Sequence, residues 1–135
     1  MYVDGKADMK PARAQHPVPE DSTVAAKKPS LYMNLQHKYP PYFAAVETLG
    51  AAARDAGPLQ EKTLHLVQLA AAAAVRSEGA VHSHVRRGLA CGLEPEEIRH
   101  ALLAVTSTIG FPNVIAAMSW AEDVLSKSRP KSRKR

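Results

Sequence analysis

The stretch that decides the fold runs from Gly57 to Gly92, "GPLQEKTLHLVQLAAAAAVRSEGAVHSHVRRGLACG". After the stop signal Gly57-Pro58, the residues Leu64, Val67, Ala71, Ala74 and Val75 recur at helical spacing and predict a helix from about Gln60 to Ser77 with those residues on its inner face. Its centre, "LAAAAAV", combines high helix propensity with little side-chain bulk, so neighbouring helices can approach closely. A second helix follows from about Ala80 to Cys91, with Gly92 placed to be its left-handed C-terminal residue. The chemically interesting residues lie on these two helices, and they converge if the helices form a hairpin.

Working outward, no stretch reads as a convincing strand. Tyr42, Val46, Leu49 and Ala53 give a helical stripe before Gly57-Pro58. Pro95, Glu96 and Glu97 supply a first-turn proline and N-terminal negative charge for a further helix, whose stripe is Ile98, Leu102, Val105 and Ile109. "GFP" at 110–112 breaks the chain before a last helix carrying Val114, Met118, Ala121 and Leu125. The expectation is an all-α bundle of about five to six helices over residues 31–126. Residues 1–30, with Pro11, Pro17, Pro19 and Pro29 among scattered charges, read as a disordered segment without the apolar region of a signal peptide. Residues 127–135 read as a basic tail.

Charge sharpens this division. The terminal "KSRPKSRKR" holds six of the eighteen basic residues and no acidic one, which leaves twelve basic against thirteen acidic side chains elsewhere, a net of −1. The high pI of about 9.5 therefore belongs to the tail and not to a folded surface. Nothing in the body interleaves aromatics with basic residues, so nucleic acid is not an expected partner. Leu69 to Val75, the longest apolar run, is far too short for a bilayer, and no membrane association is expected. One cysteine excludes an intramolecular disulfide and fits a reducing, cytoplasmic setting. A small, alanine-rich core buries a modest fraction of its surface, which points to a homo-oligomer.

These two helices carry two glutamates, three histidines and the lone thiol. Cys91 has no resolving partner and stands at a helix C-terminus, where the dipole disfavours a thiolate; His84 is about 10 Å away along the axis. Cys91 is read as a packing residue. His82 and His84, two residues apart, point to nearly opposite sides of a helix, so they do not converge on a metal, and neither metal nor cofactor is expected. His84, beside the buried stripe, is expected to be shielded with a near-neutral pKa suited to moving protons. His65 has Glu61 one turn before it to orient it, and Glu78, at the end of the preceding helix, is expected to converge with His65 and His84 across the hairpin. Arg76, Arg86 and Arg87 lie near enough in sequence to hold a substrate carboxylate.

With these residues in hand, the segments "YPPYF", "GPLQEKTLHLVQLAAAAAV", "SEGAVHSHVRRGLACGLEPEEIRHALL" and "IGFPNVIAA" resemble the carboxymuconolactone decarboxylase family, which includes the AhpD-like alkylhydroperoxidases. The resemblance implies an all-helical homo-oligomer, often a trimer or hexamer. Peroxidase members carry Cys-x-x-Cys before the histidine that matches His84; those positions are Ser77 and Ala80 here, and a glutamate those members use in proton relay is His65. The peroxiredoxin-type antioxidant activity implied by that branch thus lacks its dithiol, and remains an alternative only through Cys91. The decarboxylase branch, similar in lacking the thiols, carries an acidic residue at Glu78, although its common tyrosine is Thr108 here. What the resemblance implies is a cofactor-free lyase acting on a small carboxylated or lactone substrate, with His84, His65 and Glu78 as catalytic residues. A small-molecule-binding oligomer without turnover is the other alternative.

Overall fold

A computed structural model describes residues 29–128. Seven helical segments follow one another, with no strand among the described residues: α1 (Ser30–Lys38), α2 (Pro40–Asp55), α3 (Glu61–Ala74), α4 (Glu78–Ala90), α5 (Pro95–Ala104), α6 (Thr106–Ile109) and α7 (Phe111–Ser128). The all-α expectation holds; of the segment 1–30 read as disordered and the tail 127–135, all but Pro29, Ser30, Lys127 and Ser128 lie outside the described residues, and Ser30, Lys127 and Ser128 belong to helices.

The α3–α4 hairpin is the centre of the bundle, and its two ends close in the same way. At the end of α3 the N–H of Ser77 bonds the carbonyl of Ala72 at 3.0 Å and that of Arg76 bonds Ala73 at 3.1 Å. At the end of α4 the N–H of Leu93 bonds Gly88 at 2.9 Å and that of Gly92 bonds Leu89 at 3.1 Å. Both are Schellman closures, which need a left-handed residue just past the helix. Gly92 fills that place at φ 94°, as its sequence position predicts, but Arg76 fills the other at φ 54°. The arginine tolerates this less easily than glycine, and its guanidinium is held by Asn113 on α7. The turn stops α3 at Ala74, short of the Ser77 expected from periodicity, and Ser77 instead caps α4 by accepting the N–H of Ala80 at 3.4 Å.

α3, α4, α5 and α7 share one core: Leu69, Ala72 and Ala73 from α3, Val81 and Val85 from α4, Ile98 and Leu102 from α5, and Ala117, Ala121 and Leu125 from α7, with Leu93 tucked beneath the α4–α5 turn. Each fully buried Leu, Ile or Val contributes about 1.5–3 kcal/mol by leaving water. The inner face of α3 is therefore one residue away from the predicted one: Val67 and Val75 are exposed, and His65, Leu69, Ala72 and Ala73 are buried. Glu97 reaches back to the N–H of Glu94 at 2.8 Å to start α5, in keeping with the acidic first turn predicted there. Arg99 joins α5 to α7 with two bonds to Glu122, at 2.6 and 3.1 Å. The single predicted helix through Ile109 is divided after Ala104 into α5 and the one-turn α6, and Gly110 at φ 85° turns the chain into α7.

α1 and α2 stand apart from this core. They pack on each other edge-to-face through Tyr32 and Phe43, whose ring centroids are 5.2 Å apart. Neither helix has a buried residue. The predicted stripe on α2 exists, but Tyr42, Val46 and Leu49 face outward instead of into the core.

Gly92→Ala places a Cβ where φ is 94° and is expected to destabilise the chain by about 1–2 kcal/mol. Urea unfolding checks it: the midpoint falls while the slope stays unchanged.

Candidate functional site

His65 sits one helical turn before Leu69 on the buried face of α3, and its whole residue is 4% exposed. His84 lies on α4 between Val81 and Val85, half-buried. The hairpin sets the two imidazoles against each other with ring centroids 6.0 Å apart and planes tilted by 45°. Each ring buries its Nδ1 atom with no hydrogen-bond partner among the described residues. An unpaired buried polar atom costs about 1–3 kcal/mol. Two such atoms on neighbouring rings are the least satisfied polar groups of the hairpin.

The electrostatics keep both rings neutral. Burial, then the Arg87 guanidinium, then His65 push the His84 pKa down to about 4, well away from the near-neutral value expected from the sequence. The reason is that shielding removes water and the charge acting on the ring, that of Arg87, is a cation. His65 is also lowered, first by burial; Glu61 opposes this, and Arg87 and Arg54 add to it. Glu61 stands 3.8 Å from His65 Nε2, beyond hydrogen-bond reach. With His65 neutral, that contact orients the ring without forming an ion pair.

Glu78 is not part of the pair. It is the first residue of α4 and does not end α3, and it is six residues before His84, which turns it about a third of the way around the helix from that histidine. Its carboxylate groups instead with His82 and with Asp123 of α7. His82 and His84 thus do face different ways, as their spacing predicts. Among the arginines, Arg87 is the one whose charge both imidazoles feel, and Arg76 is committed to Asn113. Arg54 and Asp123 were not legible as neighbours of these groups, since each comes from a helix distant in sequence.

Cys91 donates its thiol to the carbonyl of Gly88 at 3.2 Å, and burial, followed by Glu61, pushes its pKa up. Both effects disfavour a thiolate. A groove of about 240 Å³ between α3 and α5, lined by Leu66, Glu97, His100, Ala101 and Ala104, includes neither imidazole, so it is not the setting of this pair.

Comparison with protein families matches residues 40–123 to the Carboxymuconolactone decarboxylase family. The chain belongs to that family. The match begins with α2 and ends within α7, so it contains both histidines and the whole hairpin. No curated protein matches the chain. Among the described residues no helix is long and apolar enough to cross a membrane.

Because the His84 pKa is lower in the folded chain than in the unfolded one, the unfolded state binds the proton more readily. The stability that neutral His84 supports is complete above about pH 6.5 and is lost as the pH falls toward about 4. The loss amounts to at most about 3 kcal/mol. Chemical denaturation of wild type and His84→Asn at pH 7, 5.5 and 4.5 checks this: the difference in stability between the two proteins shrinks as the pH falls.

Proposed function

We propose that this member of the carboxymuconolactone decarboxylase family is a cofactor-free lyase that uses His84 for proton transfer on a small carboxylated lactone. The observation that carries this reading is the pair of facing, neutral imidazoles whose buried Nδ1 atoms lack partners. Such atoms are satisfied when a polar ligand enters, and Arg87 beside them supplies the charge that attracts a carboxylate.

The chemistry balances without another reactant. A bound carboxylate offsets the field of Arg87 and favours the imidazolium, so His84 takes up a proton as the substrate binds. The carbon–carboxylate bond then breaks, carbon dioxide leaves, and the electron pair spreads into the conjugated lactone. His84 returns its proton to carbon and becomes neutral again. His65 sets that proton's position from the facing ring, and the family's acidic residue at Glu78 is not needed for the step. The missing dithiol and the raised pKa of Cys91 disfavour the antioxidant alternative.

Turnover of lactone acids tests the proposal. Wild type is expected to release carbon dioxide and His84→Ala to lose at least about a hundredfold in rate, as for a general acid–base residue. Since free His84 is neutral above its pKa of about 4, kcat/KM is expected to fall as the pH rises from 5 to 8. Equal rates in the two proteins overturn the assignment of His84. Thermal stabilisation by the acids without turnover supports a binding protein in place of the enzyme.

The same proposal includes a homo-oligomer in a cytoplasmic setting. Tyr42 at 66%, Val46 at 48% and Leu49 at 70% exposure leave an apolar stripe on a helix with no fully buried residue among the described residues. Light scattering on the full chain is expected to give a multiple of the 14.6 kDa chain mass, and Val46→Glu with Leu49→Glu is expected to reduce it to the monomer. An unchanged wild-type monomer overturns this part.

A further inference from the structure

On the side of α4 away from the two imidazoles, Glu78, His82 and Asp123 form a second constellation. Glu78 and His82 are four residues apart, so they lie one turn apart on the same face of α4. Asp123 reaches them from α7. One donor atom from each of the three lies within 4.8 Å of the other two. His82 Nε2 and Asp123 Oδ2 are 3.2 Å apart.

Adjacent ligands of a divalent ion with bonds of about 2.0–2.2 Å are themselves about 3–3.5 Å apart. The His82–Asp123 pair already has that edge length. Glu78 completes a triangle by rotating an exposed, unbranched side chain, at little cost. A simple ion pair between His82 and Asp123 accounts for two of the residues and leaves the third unexplained. Glu78 makes no hydrogen bond or ion pair among the described residues, and its nearest arginine in sequence, Arg76, is bound to Asn113. Two carboxylates beside one imidazole make a locally negative, ligand-bearing pocket that favours a cation.

We infer that Glu78, His82 and Asp123 are a binding site for a divalent first-row transition ion, with water completing the coordination. One imidazole with two carboxylates suits zinc, cobalt or manganese better than magnesium or calcium, which take oxygen ligands alone. The ion joins α4 to α7 and leaves His65 and His84, on another side of α4, free of it. The site owes nothing to the proposed lyase chemistry and stands if that reading fails.

The test is calorimetric titration of the full, chelator-treated chain with zinc chloride, repeated with cobalt chloride followed by visible absorption. The wild type is expected to bind one zinc per chain, to gain thermal stability from it, and to give a cobalt spectrum with nitrogen ligation. His82→Ala is expected to abolish the spectrum, and Glu78→Gln and Asp123→Asn each to weaken zinc binding by about tenfold or more. The two amide variants keep the shape of the side chains, and circular dichroism confirms that each variant is folded. His84→Ala is expected to bind zinc as the wild type does. Absence of one-to-one binding by the wild type overturns the inference. So does affinity unchanged in all three site variants, or lost equally in His84→Ala.

Discussion

Close approach between helices is the constraint on which the rest of this structure depends. Ala72 and Ala73 of α3, Gly88 of α4 and Ala117 and Ala121 of α7 are all buried, and none carries a side chain larger than a methyl group. A Cβ added at Gly88 would stand 2.8 Å from the Leu93 side chain, so the turn after α4 folds directly against the helix it leaves. With so little bulk between them, α3 and α4 lie near enough for two imidazoles to meet across the hairpin. The same closeness excludes water from the rings, and that exclusion is the first cause of the lowered pKa of both. Packing here determines protonation.

The sequence signals that worked were those with a local physical cause. Gly92 could be assigned a left-handed conformation because the end of a helix demands one, and Pro95 with its two glutamates could be assigned a helix start because the orphan N–H groups attract acids. The inner face of α3 was not legible in the same way. A run of five alanines gives no contrast between faces, so Leu64, Val67 and Ala71 were as good a stripe as the real one at His65, Leu69, Ala72 and Ala73. Choosing the real one meant burying a histidine, against the usual preference of that residue. The stripe of α2 illustrates a different limit: periodicity identifies an apolar face without saying what covers it. α1, with no buried residue, offers no periodic signal to find.

The meeting of His65 with His84 was legible in the sequence, and the placement of Glu78 away from them was not. The histidines lie on two helices whose tight turn fixes their alignment, whereas Glu78 depends on where one helix ends and the next begins. A difference of three residues at the end of α3 makes Glu78 the opening residue of α4 and turns its carboxylate toward His82. The residue that controls the junction is Arg76, which adopts a conformation a sequence reader would assign to glycine. Nothing local announces this. The bond to Asn113, from a helix thirty-seven residues further on, is what compensates for it.

Helix α4 thereby presents two different chemical environments only about half a turn apart. Toward α3 it offers His84, shielded and facing another neutral ring, with a cation nearby to discourage a proton. Toward α7 it offers His82 beside a carboxylate at 3.2 Å, half-buried and open to an additional charge. The two histidines are separated by one residue, and about 200° of rotation puts them in these opposite settings. Identical side chains are thus given different surroundings by helical geometry: a neutral imidazole facing another ring on one side, and an imidazole beside two carboxylates on the other. A substitution in the shared backbone of α4 disturbs both settings, whereas a substitution of either ring disturbs one.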